Sequence, residues 1–103
     1  MFVVLWEFDV KPGSEKRFEN VYGPSGAWAA LFQSDSAYRR TLLLRDPFRQ
    51  GTYVTCDFWA NKTAYEAFRQ GHAEAYLALD RACEELTTAE RKMGAFEQVA
   101  EGG

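Results

Sequence analysis

One histidine, two cysteines and three prolines are all that 103 residues contain of those types. A lone imidazole without a Cys/His cluster argues against a structural zinc site, which needs several such ligands close together, and no metal is expected. Cys56 and Cys83 form no CxxC pair and are expected as free, buried thiols in a reducing cytoplasm. Positive charge is not concentrated anywhere: Arg39, Arg40, Arg45 and Arg49 lie among acids, and the net charge is −3. Nucleic-acid affinity rests largely on phosphate contacts, so a general nucleic-acid binder is not expected. No apolar run approaches the roughly 20 residues that cross a bilayer, so no membrane partner is expected. The opening segment Met1-Phe2-Val3-Val4-Leu5-Trp6-Glu7 lacks the cationic leader and small-residue cleavage site of a signal peptide. These absences point to a cytoplasmic protein.

What the chain has is aromatic surface. Hydrophobic residues make up 47% and aromatic ones 16%. A chain of this length suits one domain, expected over residues 1–100 with a tail at 101–103. Folding at this size buries only about 60–70% of the unfolded surface. So much aromatic surface leans toward a homo-oligomer or a ligand pocket, with a Phe-rich core as the plainer alternative.

Phe2, Val4, Trp6, Phe8 and Val10 alternate with Val3, Leu5, Glu7 and Asp9, which predicts a strand with one wholly apolar face. Lys11-Pro12-Gly13 ends it. Ser14 is placed to cap a helix carrying Phe18, Val21 and Tyr22 on one stripe. Gly23-Pro24-Ser25-Gly26 interrupts that helix, and a second short piece resumes near Ala27 with Trp28, Leu31 and Phe32 on one face. Tyr38 to Arg45 and Thr52 to Trp59 are predicted strands joined by the loop Asp46–Gly51. Asn61 caps a long helix whose stripe is Tyr65, Phe68, His72, Tyr76, Leu79, Cys83 and Leu86, with Gly71 marking a bend beside His72. Thr87-Thr88-Ala89-Glu90 fits a capping box for one short turn, and Arg91 to Ala100 a fourth strand.

The order β-α-β-β-α-β predicts an α+β, ferredoxin-like fold: a four-stranded antiparallel sheet with its helices on one face. The other face is expected to carry Val3, Leu5, Thr41, Leu43, Thr55, Trp59 and Val99. An apolar bare face of that kind is an association surface, and pairing two of them gives a closed homodimer.

The sequence resembles the antibiotic biosynthesis monooxygenase family of the dimeric α/β-barrel superfamily. The residues that carry the resemblance are Phe8-Asp9-Val10-Lys11-Pro12-Gly13 with Phe18, then Arg45-Asp46-Pro47, then the passage from Phe58-Trp59-Ala60-Asn61 through Tyr65-Glu66-Ala67-Phe68. It implies a homodimer with sheets packed face to face and a cleft in each subunit between helices and sheet. Some members oxidise aromatic polyketides there with molecular oxygen and no metal or flavin, and others cleave haem. The haem-cleaving branch carries an asparagine on the first strand and a tryptophan–histidine pair on the second long helix. Here the first strand offers Glu7 and Asp9, and the helix has Phe68 and no tryptophan, which sets this chain apart from that branch.

Oxygen chemistry without a cofactor requires the substrate to supply the electrons. The protein must then provide a base, donors for an oxyanion, and a dry enclosure. His72 is the expected base, because an unperturbed imidazole titrates near pH 6.5. Tyr65 and Tyr76, on its stripe, are the expected oxyanion donors. Trp28, Trp59, Phe68 and Tyr76 are candidate walls for a small planar aromatic ligand, and Arg40 a candidate anion contact. Each has a plainer reading: His72 bonded to a backbone carbonyl, the stripe as filled core, Arg40 as an ion-pair partner. Asp57, an odd acid beside Phe58 and Trp59, is expected to pair with an arginine across the sheet or dimer, with a catalytic role as the alternative. Three functions stay open: a cofactor-independent monooxygenase acting on a phenolic or quinonoid compound, a non-catalytic dimer that binds a small hydrophobic molecule, and a structural module with no cavity.

Overall fold

β1 (Phe2–Val10) occupies an interior position in the sheet and β3 (Thr52–Trp59) lies beside it. Antiparallel pairing of β1 with β3 on one side and β4 (Thr87–Glu97) on the other, with β2 (Tyr38–Arg45) outside β3, gives the order β2-β3-β1-β4. The helices are α1 (Glu15–Tyr22), α2 (Ala27–Phe32), α3 (Lys62–Gly71) and α4 (Ala73–Cys83), followed by a 3₁₀ turn at Glu84–Leu86. This computed structural model describes residues 1–102; Gly103, the last residue of the expected tail, lies outside them. The architecture is the ferredoxin-like α+β fold that the element order predicts.

The apolar alternation of β1 sets the core. Phe2, Val4, Phe8 and Val10 are buried toward the helices, where they meet Phe18, Tyr22, Trp28, Phe32, Tyr65 and Phe68. Gly23–Gly26 does break the first connection. A Cβ at Gly26 would fall 2.2 Å from the Val21 carbonyl oxygen, so the close approach of the two helical pieces requires glycine there. Asn61 caps α3 by accepting from the Ala64 amide at 2.8 Å, a contact that contributes about 1 kcal/mol. Ser14 stands at the N-cap of α1 without a side-chain bond; the Gly13 amide donates to Glu15 instead.

Several expectations are corrected. The long helix is two. At His72 the backbone leaves helical geometry (φ −120°, ψ 25°), and this residue both ends α3 and starts α4. Thr87–Glu90 is strand rather than a capped turn, because Val10 pairs with Thr87 and Phe8 with Glu90, so β4 begins four residues early; it ends at Glu97. The bare face is also different. Residues opposite one another in an antiparallel ladder share a face. Trp6 faces Thr55, Thr55 faces Leu43, and Phe2 faces Trp59, so Thr55, Leu43 and Trp59 belong to the helix side, as does Thr41 opposite Asp57. Val99 lies beyond β4 and is exposed.

The bare face consists instead of rows running across the sheet. Arg40, Phe58, Val3 and Phe96 form one row, and Leu42, Cys56, Leu5 and Gly94 the next. The Phe96 ring lies over Gly94, where a Cβ would sit 2.7 Å from it. Toward the other end the face becomes charged: Arg91 reaches both Glu7 and Asp9, and Arg49 bridges Glu7 and Asp46.

Candidate functional site

Between the helix layer and the sheet lies a cleft with a cavity of ≈ 50 Å³ inside ≈ 550 Å³ of empty space that includes its open mouth. Its floor is the helix-side face of β1 and β3, at Val4, Trp6, Phe8, Thr55 and Asp57. Tyr22, Trp28 and Phe32 wall it from α1 and α2, and Tyr65, Tyr76 and Asp80 from α3 and α4. Glu90 of β4 completes it. The pairing register orders these groups. Asp57 is opposite Val4 and Glu90 opposite Phe8, so the two carboxylates sit at opposite ends of a floor about 13 Å long at ~3.3 Å per strand residue.

The rings hold one another. The Trp28 ring meets Tyr76 edge-on at 4.9 Å and lies 6.0 Å from Tyr22. The Arg69 guanidinium lies over the Tyr76 ring at 3.9 Å and donates to the Tyr65 hydroxyl at 3.0 Å. Tyr65 therefore accepts from a cation and keeps its own hydrogen to donate. Burial pushes the Tyr76 phenol up to about 12, against a lowering pull from Arg69. Burial, then Cys83, drives the Tyr22 phenol up as well. Both phenols are held protonated, as donors. The Trp28 Nε1 is buried without a hydrogen-bond partner.

Asp57 is the distinctive group. Among the described residues neither Arg40 nor any other arginine of the chain pairs with it, which corrects the expected pair across the sheet. Its Oδ1 accepts from the Thr41 hydroxyl at 2.7 Å, and Thr41 is in turn 2.6 Å from the Tyr38 hydroxyl. Burial pushes the Asp57 carboxyl up to about 6; the Thr41 hydrogen bond pulls the other way and loses. A carboxylate at the bottom of a ring-lined cleft, titrating near neutrality, is the equipment of a general base. At the other end, burial followed by repulsion from Asp80 and Glu84 raises the Glu90 carboxyl.

The structure brings together some of the expected site residues and separates others. Tyr65, Trp28 and Tyr76 line the cleft. Trp59 and Phe68 are fully buried beneath it, packed on each other with ring centroids 4.9 Å apart, and do not line it. Arg40 is on the bare face, with its guanidinium 4.6 Å from the Phe58 ring. His72 is outside the lining: its ring stacks on Phe68 at 4.4 Å, Nδ1 lies 3.2 Å from the Phe68 carbonyl, and Nε2 lies 3.4 Å from the Ser34 hydroxyl. Sequence reasoning gave no site role to Trp6, Tyr22, Asp80 or Glu90. Trp6 had a signal, as a large indole on the buried alternation of β1. Asp57 had one too, as an acid within an otherwise apolar and hydroxylic strand.

A family model described as "Antibiotic biosynthesis monooxygenase" matches residues 1–80. No curated protein sequence matches the chain. Among solved structures, a variant of SnoaB, a cofactor-independent oxygenase from Streptomyces nogalater, is 21% identical with a TM-score of 0.78, over 97% of this chain and 94% of that one. A putative antibiotic biosynthesis monooxygenase from Deinococcus radiodurans is 12% identical with a TM-score of 0.76, over 100% and 97%. A variant of MhuD with two manganese protoporphyrin IX molecules in each active site is 22% identical with a TM-score of 0.76, over 100% and 99%. These likenesses are of fold.

Proposed function

We propose, because the chain belongs to the antibiotic biosynthesis monooxygenase family, that its cleft oxidises a small planar phenolic or quinonoid compound with molecular oxygen. The observation that carries this reading is the half-buried Asp57 carboxylate at the floor of a cleft walled by Trp28, Tyr65 and Tyr76. Asp57 removes a proton from an activated carbon or hydroxyl of the substrate. The resulting anion spreads its charge over the ring system, and Tyr65, backed by Arg69, together with Tyr76 donates to its oxygen. The anion supplies the electrons: carbon bonds to oxygen, a proton completes a hydroperoxide, and loss of water leaves a carbonyl. The balance is RH₂ + O₂ → R=O + H₂O, with the substrate oxidised and dioxygen reduced. The ring walls exclude bulk water, which keeps the carboxylate basic and the anion reactive.

The base in this reading is Asp57 rather than His72, whose ring packs behind the wall on Phe68. The same fact bears on haem. The chain's one imidazole is not among the lining residues, so the cleft wall offers no nitrogen ligand to a haem iron. Oxygen-electrode traces with anthrone-like phenols test the proposal. Uptake is expected to rise with pH through about 6, as Asp57 ionises, and to fall by two orders of magnitude or more in Asp57→Asn, within the about 10²–10⁴-fold span of general-base catalysis. Saturable binding without uptake, unaffected by that substitution, would instead indicate a carrier of hydrophobic molecules.

A homodimer formed through the bare sheet face belongs to the same proposal. Leu42, Leu44 and Phe96 are exposed there by 38–53%. Apolar residues clustered on one sheet face favour burial against a second copy. Sedimentation is expected to give a dimer for the natural chain and a monomer for Leu44→Lys. A monomeric natural chain at micromolar concentration would discard the pairing.

A further inference from the structure

The carboxylate at the cleft floor does not stand alone. Asp57 is the end of a hydrogen-bonded row that crosses the sheet to its edge strand: the Tyr38 hydroxyl, 2.6 Å, the Thr41 hydroxyl, 2.7 Å, Asp57 Oδ1. Thr41 is almost fully buried, and Tyr38 half-buried. A threonine hydroxyl has one hydrogen. Since Thr41 donates it to Asp57, the contact between Tyr38 and Thr41 has Tyr38 as donor. All polarity in the row therefore runs toward the carboxylate. Oδ1 is engaged by Thr41, and among the described residues no protein group donates to Oδ2.

The pairing of β2 with β3 makes this alignment. Thr41 is directly opposite Asp57, and the irregularity between Tyr38 and Arg40 keeps Tyr38 on the same side of the strand, three residues from Thr41. A regular strand would turn residues three apart to opposite faces. The β2 bulge is thus what lets the phenol reach back to the threonine. Of the other titratable side chains whose pairing is fixed in β2 and β3, Tyr53 and Arg45 share this side with Asp57 and engage Glu19; Arg39, in the bulge, donates to the Ser36 carbonyl. From the helix layer Tyr65, Tyr76 and Asp80 line the same cleft, and from β4 Glu90 does.

We propose that Thr41 and Tyr38 are positioning residues for Asp57: the donor row pins one carboxylate oxygen and leaves the other, Oδ2, as the atom that meets the ligand's proton. This rests on the reading of Asp57 as the base. It adds that the base is oriented from the sheet edge, two side chains away from the substrate, by residues that do not themselves touch it. Each hydroxyl stabilises the ionised carboxylate, Thr41 directly and Tyr38 by polarising Thr41.

The test is a carbon-detected NMR titration of the Asp57 side chain in the ligand-free protein, so that it is independent of any turnover. In Thr41→Val the midpoint is expected to move up by about one pH unit, a tenfold gain in proton affinity, because a bond to the charged form is lost. Thr41→Ser should restore it, since the hydroxyl returns. Tyr38→Phe should move it in the same direction by less. Tyr38 is only half-buried, so this second variant keeps the test open if Thr41→Val folds poorly. With a turned-over phenol, the pH profile of kcat should move by the same amount as the NMR midpoint. An unchanged midpoint in both Thr41→Val and Tyr38→Phe would overturn the row as a positioning device. If the midpoints shift as expected while Asp57→Asn keeps full oxygen uptake, the row stands and the base assignment fails.

Discussion

Asp57→Asn is expected to make the protein more stable at pH 8, by about 2–3 kcal/mol, while removing the proposed base. The size follows from a carboxyl whose ordinary value of 3.8 is pushed up to about 6 by burial. The folded state holds that proton more tightly than the unfolded chain does. Stability attributable to Asp57 is therefore highest below about pH 4, declines between 4 and 6, and above 6 the folded state bears the cost of a partly desolvated charge. Asparagine has the same shape, still accepts from Thr41 with its amide oxygen, and carries no charge. For a chain of this size each kcal/mol moves the melting temperature by about 4–8 °C, so the variant should melt on the order of 10 °C higher at pH 8 and level with the natural protein at pH 3.5. Paired melting curves at the two pH values decide it. A gain of the same size at both would mean that packing, not ionisation, sets the difference.

Phe68→Ala should have the largest effect in the opposite direction. Phe68 is 1% exposed, and its ring meets Phe32 at 5.6 Å, Trp59 at 4.9 Å and His72 at 4.4 Å. Truncating so enclosed a ring costs about 3–5 kcal/mol. A domain of this length has a total of roughly 5–15 kcal/mol, so the loss is a large share. Urea unfolding should show a much lower midpoint at an unchanged slope. Because Phe68 lies behind the wall rather than in it, the variant, at a temperature where it is still folded, should bind a cleft ligand within about threefold of the natural affinity, less than the roughly 1.4 kcal/mol of a tenfold change. A tenfold loss under those conditions would make Phe68 a ligand contact after all.

The two variants also separate what periodicity can and cannot resolve. Phe68 and His72 fall on one helical stripe with Tyr65 and Tyr76, and helical spacing treats all four alike. In the fold the stripe is cut at His72, where the backbone leaves helical geometry. Phe68 turns into the core and His72 stacks on its outer side, while Tyr65 and Tyr76 reach the cleft. The break was signalled by Gly71, but a glycine only weakens a helix locally, and its effect on each side chain depends on what packs beneath. The sheet faces failed for a related reason. Alternation of period two divides a strand into two sets without saying which set of one strand joins which set of the next. Thr41, Leu43, Thr55 and Trp59 were therefore placed on the bare face, and the pairing of Thr55 with Trp6 and Leu43 puts them beneath the helices.

The sequence by itself determined the order of elements, the sheet they form, the Gly23–Gly26 break, the Asn61 cap and a ring-rich layer over the sheet. Those depend on local propensity and on the burial of apolar side chains, which neighbouring residues announce. Only the tertiary structure decided which ionisable groups face the cleft and how far each is desolvated. That outcome depends on strand register and on how deeply a carboxylate is desolvated, and both arise from residues distant in the chain: Thr41 and Tyr38 across one strand, Trp28 and Tyr76 across the helix layer. An aspartate shows its charge in the sequence, but its proton affinity is set by the surroundings that folding gives it.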